Sequence, residues 1–190
     1  MTEKVDLLVV GLGPAGATII SEFVKMNNHE EFSVLGIDRR KKPGFPVQCG
    51  EFMPSPNEMQ ILMPDVSNSD DIFTFDEKYI AQRTTKISFV SPHGTVISTP
   101  FDGYTIYRGR WNNDLVLKAE KNGVQVLRQW KAVDYNPDDK TVIIKSISGE
   151  IRKVIAKVIV GADGTHSLIA KKSGLWENRN DYHFVPTKEH

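Results

Sequence analysis

The chain has 190 residues, enough to bury one core and carry a lobe beside it. Lysine and arginine number 24, and so do aspartate and glutamate, so no global field draws the protein to nucleic acid. The single cysteine, Cys49, excludes an internal disulfide framework and suits a reducing cytosol.

Taken in chain order, Val5 to Val10 is an apolar, β-branched run that reads as a strand buried on both faces. Gly11 interrupts it before a signal peptide could form, and no other apolar run is long enough to span a bilayer. A cytoplasmic protein is expected, with contact at the membrane periphery left open. Gly16 to Met26 carries one wide apolar helical stripe (Ala17, Ile20 and Val24 with Ile19, Phe23 and Met26), and Asn27-Asn28 is read as its end. Phe32 to Ile37 is a second buried strand. Strand, helix and strand in one short unit require a right-handed parallel crossover.

From Lys41 to Asp71 the chain is rich in proline, glycine and polar residues. It reads as a long ordered excursion with a short helix near Asn57 to Leu62. Ile87 to Val90 and Thr95 to Ser98 flank Pro92-His93-Gly94 as a hairpin. Trp111 to Lys121 is expected to be helical, with asparagines at its start and Asn122-Gly123 as its stop. Val124 to Leu127 is a further core strand, Val133 to Tyr135 and Thr141 to Ile147 form a second hairpin, and Ile151 to Val160 is a last strand entering Gly161-Ala162-Asp163-Gly164. Ser167 to Lys172 reads as a short helix that stops at Gly174. Crossovers alternating with hairpins predict an α/β fold: a parallel sheet with a βαβ unit, carrying inserted β-hairpins.

Gly11-Leu12-Gly13-Pro14-Ala15-Gly16 is a G-x-G-x-x-G between a strand and a helix. Gly11 allows the tight turn, Gly13 lets backbone approach a pyrophosphate, and Gly16 permits close helix–strand packing. The helix start, with Pro14 and Ala15, offers unpaired N–H groups and a positive dipole end to phosphate. Asp38, roughly 20 residues further on at the end of the next strand, is placed to accept hydrogen bonds from ribose hydroxyls. The run Arg39-Arg40-Lys41-Lys42 reads as a solvated loop start. It does not read as a 2′-phosphate site, since Asp38 would repel that group. Arg39, beside Asp38, is kept among the cofactor-binding candidates. The five histidines and one cysteine have no metal-site spacing.

Gly161-Ala162-Asp163-Gly164 followed by Ser167 resembles a motif of the FAD-dependent hydroxylases and reductases that include p-hydroxybenzoate hydroxylase. Tyr107-Arg108-Gly109-Arg110-Trp111, leading to Leu115, resembles the arginine-then-helix segment of the same class. Pro46-Val47-Gln48-Cys49-Gly50-Glu51 resembles the proline-x-x-cysteine-glycine-glutamate motif of the geranylgeranyl reductase family. The resemblance implies a Rossmann-like FAD-binding domain over residues 1–190. Asp163 and Gly164 would lie near the FAD ribose and pyrophosphate, and Arg108 near its phosphates or ribitol. Cys49 and Gly50 would lie beside the flavin, with Cys49 as the flavin-adjacent catalytic candidate. It further implies a prenyl-lipid or other small-molecule substrate and an electron donor such as NAD(P)H or ferredoxin.

Two positions depart from the class. Asn112 stands where an acid is usual, and Ala170 stands where an arginine is usual. A later glycine-aspartate motif and much of a substrate-binding sheet are also missing. The 190 residues are therefore expected to be the first half of such a fold, by truncation, a split gene or a cut, with a second polypeptide as one way to complete it. The rival readings are an aromatic monooxygenase, a flavin-binding chain without activity of its own, and a plain NAD module.

Overall fold

From Val5 onward β1 (Thr2–Val10) is buried at every position but Asp6, because it runs between two parallel neighbours and under layers on both faces. The computed structural model describes residues 2–26, 31–66 and 74–176. These fall into two compact units, one of residues 2–46 and 112–176 and the other of residues 47–111.

The first unit is built on a six-stranded sheet in the order β6-β2-β1-β9-β8-β7. Its strands are β1, β2 (Val34–Asp38), β6 (Gln125–Arg128), β7 (Trp130–Asn136), β8 (Thr141–Ser146) and β9 (Ile151–Gly161). β6, β2, β1 and β9 pair in parallel, whereas β8 and β7 add as antiparallel strands at one side. Alternate residues of β1 feed two cores. Leu8 and Val10 join Leu35, Ile37, Val142, Ile144, Val154 and Ile169 on one face. Leu7 and Val9 join Leu12, Ala17, Ile20, Val116 and Ala119 on the other, which places α1 (Pro14–Met26) and α3 (Arg108–Lys121, counted with this unit from Asn112) on that face. Fully burying such a side chain contributes about 1.5–3 kcal/mol.

The second unit holds a three-stranded antiparallel sheet in the order β3-β5-β4 and the short helix α2 (Pro56–Leu62). Its strands are β3 (Phe52–Pro54), β4 (Ile80–Val90) and β5 (Val96–Ile106). Helix α2 begins at the Ser55 side chain, whose Oγ accepts from the Glu58 amide.

The expected α/β architecture holds, with differences in extent. The hairpin strands β4 and β5 run to eleven residues each and not four. Most of their side chains are polar or exposed on both faces, which erases the alternation that marks a half-buried strand. β3 arises inside the stretch read as an irregular excursion. Phe32 lies outside β2 and is 40% exposed. α1 starts earlier, with Pro14 at its first position, where the missing N–H costs nothing. α3 starts at Arg108, so its asparagines are interior and do not cap it. Asn27-Asn28 and the end of the stretch to Asp71 lie outside the described residues.

Candidate dinucleotide-binding site

The turn between β1 and α1 forms where three polar or glycine contacts close it. Gly11 adopts φ +91°, and a Cβ there would lie 2.4 Å from the Ala162 carbonyl oxygen. The Gly11 amide donates to Ile37 O at 2.9 Å, and the Ala162 amide donates to Val10 O at 2.8 Å, so the two glycine motifs meet as backbone. At Gly16 a Cβ would come within 1.9 Å of Gly11 O, which is how the helix closes on the strand end. Gly13 differs: a Cβ there would meet nothing within 4 Å. Its surface is open beside the first turn of α1, which carries no acidic side chain to compete for the helix-end N–H groups.

Leu12, between the first two glycines, is fully buried and held at both ends of its backbone. Its amide donates to Asp38 Oδ2 at 2.8 Å, and its carbonyl accepts from Asn112 Nδ2 at 2.9 Å. The second Asp38 oxygen accepts from the Arg40 amide at 2.7 Å. A carboxylate offers about four lone-pair sites, so Asp38 keeps acceptor capacity for a hydroxyl while bracing the loop. Arg39 points to solvent.

Asp163 also serves local structure. Its carboxylate accepts from the Leu168 amide at 2.7 Å, from the Ile169 amide at 3.4 Å and from the Ser167 hydroxyl. Ser167 Oγ accepts from the Ala170 amide at 3.0 Å. Together they cap α4 (Leu168–Lys172), a duty the reading of Asp163 as a ribose contact does not include. Gly164 follows with φ +88° and open space at its Cβ position.

In the second unit the Cys49 sulfur accepts from the Arg108 guanidinium and, at 3.2 Å, from the Glu51 amide. Glu51 sits at φ +55°, its Oε1 accepts from the Arg108 amide at 3.0 Å, and its carbonyl accepts from the Ile106 amide at 2.9 Å. The segment around Cys49 and the start of α3 thus come together through Cys49, Glu51 and Arg108. Cys49 is half-buried and Gly50 exposed. His93 and His166 are exposed, and no cluster of three or more metal-ligating side chains occurs among the described residues.

The motifs alone did not mark Asn112. It lies on the α3 face that also buries Val116 and Ala119, and all three are 0% exposed. The available signal was a polar residue at helical spacing from two apolar ones, in a place where the resembled class carries an acid.

The fold is that of the Rossmann-type FAD-dependent flavoproteins. Solved halogenases and hydroxylases of that class share it at 17–22% identity, with TM-scores of 0.56–0.61. Within that class the similarity runs to the geranylgeranyl reductases. The chain is 25% identical to a geranylgeranyl bacteriochlorophyll reductase-like protein from Thermoplasma acidophilum, with a TM-score of 0.61, covering 84% of this chain and 39% of that one. It is 28% identical over 182 residues to digeranylgeranylglycerophospholipid reductase 3 of Methanosphaera stadtmanae, covering 91% of this chain and 42% of the reductase. It is also 29% identical over 170 residues to an uncharacterized protein in the nifH2 5′ region of Methanosarcina barkeri, covering 90% of this chain and 88% of that one. No family model matches the chain. The chain spans about two fifths of the length of the reductases it matches.

Proposed function

We propose that this chain binds FAD at the β1–α1 turn and serves, with the further polypeptide its longer relatives carry, in the reduction of prenyl-lipid carbon–carbon double bonds. The observation that carries the proposal is the contrast within the glycine loop. Gly11 and Gly16 are filled by backbone, while the Gly13 position faces open space at a helix start free of acidic side chains. That is the cradle a pyrophosphate needs.

Gly11, Gly13, Pro14, Ala15 and Gly16 would border the phosphates, with Asp38 and Arg39 toward the ribose. The family resemblance adds Asp163, Gly164, Arg108, Cys49 and Gly50, and with them the reading of the chain as one cofactor-binding domain. FAD, if bound there and reduced by a donor such as NAD(P)H or ferredoxin, would supply a hydride to one alkene carbon, while protein or solvent would supply the proton for the other. The chain's own residues fix the turn: Asp38 and Asn112 hold Leu12, next to a Gly13 whose Cβ side is open. No described helix is long and apolar enough to cross a membrane.

The test is to incubate the purified chain with FAD, remove free flavin by gel filtration and record the absorbance spectrum. Retained flavin bands support the proposal, and a colourless protein after loading rejects binding by this chain. Coverage of 42% of the reductases favours a second reading, a flavin-binding piece inactive alone. Flavin-loaded chain that does not saturate a prenyl lipid when given a reductant would select it. Aromatic hydroxylation, the other chemistry this fold hosts, would reveal itself as substrate-dependent oxygen uptake.

A further inference from the structure

We propose that the tip of the β4–β5 hairpin is a wedge that seats this protein on an anionic lipid bilayer. Phe89, Val90, Val96 and Ile97 enter the interface, and Lys86 stays among the headgroups. The four apolar side chains are each more than half exposed. Phe89 pairs with Ile97, and Val90 with Val96 in the last pair before the turn. Successive residues of a strand alternate, so one apolar pair lies on each face of the ribbon. A protein partner laid against one face would leave the other pair in water. A medium that is apolar on both sides dries both pairs at once.

The rest of the hairpin fits that medium. From Ile87 to Phe101 the only ionisable residue is His93, so little charge has to leave water. The turn also bonds much of its own backbone. The Ser91 amide donates to Thr95 O at 2.8 Å, the Gly94 amide to Ser91 O at 2.9 Å and the Thr95 amide to Ser91 Oγ at 3.0 Å. Charge complementarity selects an anionic surface. From Lys78 to Phe101 the cations are Lys78, Arg83 and Lys86, and there is no carboxylate. Lys78 and Arg83 pair with Asp76 and Glu77. Lys86 is exposed and lies roughly 13 Å behind Val90 along the strand, close enough for its long side chain to reach headgroup phosphates.

The test is flotation of the purified chain with vesicles of phosphatidylcholine and phosphatidylglycerol in equal parts, and with phosphatidylcholine alone. Wild type is expected to float with the mixed vesicles and to bind phosphatidylcholine alone at least about 5-fold more weakly. Phe89→Ser with Ile97→Ser, and separately Val90→Ser with Val96→Ser, should each weaken binding at least about 10-fold and keep the thermal midpoint near wild type. Lys86→Glu should weaken binding about 5-fold at low salt and much less at about 1 M salt, where charges are screened. No flotation of wild type, or unchanged binding by both double variants, overturns the proposal. Loss in one double variant alone also overturns it, because that marks a one-faced contact with a second copy or another protein. Should a double variant fail to fold, Lys86→Glu decides, and unchanged binding at low salt overturns the proposal. No flavin enters the assay, so this proposal and the cofactor reading fail separately.

Discussion

The glycines of the β1–α1 turn differ in what surrounds them, and their substitutions should differ accordingly. Gly11→Ala sets a methyl against the Ala162 carbonyl in a left-handed conformation, and should cost about 1–3 kcal/mol in urea unfolding. The Cβ of Gly13→Val has no protein atom within 4 Å, so stability should stay near wild type while retained flavin falls at least about 10-fold. If Gly13→Val keeps its flavin, the cradle is not where the phosphates lie. The glycine pattern and Asp38 were legible because each is a fixed residue type at a fixed spacing. That Asp38 spends both oxygens on the Leu12 and Arg40 amides was not legible, since backbone donors leave no trace in side-chain identity.

At the scale of elements, the β4–β5 hairpin carries Phe89 paired with Ile97 and Val90 paired with Val96, all at least 58% exposed. The two pairs occupy opposite faces, because successive residues of a strand alternate. Replacing Phe89 and Ile97 together by serine should lower concentration-dependent association in sedimentation and leave the thermal midpoint within about 2 °C, as exposed substitutions usually do. Unchanged association would show that this band is not sticky. The hairpin's position could be read from Pro92-His93-Gly94, but its length could not, because serine, threonine and glutamine line both faces. At α4 the cap predicts that Asp163→Ala costs about 0.5–2 kcal/mol in urea unfolding even without flavin. A loss of flavin with no loss of stability would instead return Asp163 to a purely ligand-facing role.

For the molecule as a whole, acid should unfold the protein through identifiable groups. Lys157, at 2.6 Å, and the Ser33 amide and hydroxyl hold the Asp6 carboxyl well below the usual carboxylate range. Lys172, at 2.9 Å, and the Tyr135 amide lower Asp134. A carboxylate lowered in the folded state adds stability above its unfolded value, near pH 4, and loses it as pH falls toward the folded value. The thermal midpoint should therefore drop below about pH 4, and Asp6→Asn should flatten part of that drop in a pH series. Lys157, Lys172 and Asp134 are each at least half exposed, so the effect per pair is expected to be small. The α/β class was readable from the order of elements. The insertion of β1 between β2 and β9 was not, because parallel pairing across most of the chain leaves no local signal.

That pairing has a consequence for synthesis. β1, the first strand made, is matched along its length by β9, from Thr2 against Lys153 to Val10 against Gly161. The Gly11 turn is closed by Ala162 and Asp163, among the last described residues to emerge. A growing chain thus carries its glycine loop from residue 11 until residues 161–163 are made without the backbone that shapes it. Contacts of such sequence separation form slowly, and the apolar β1 must wait with one flank uncovered. Flavin would be captured only once β9 has been made, and a nascent chain stalled before β9 should pull down none.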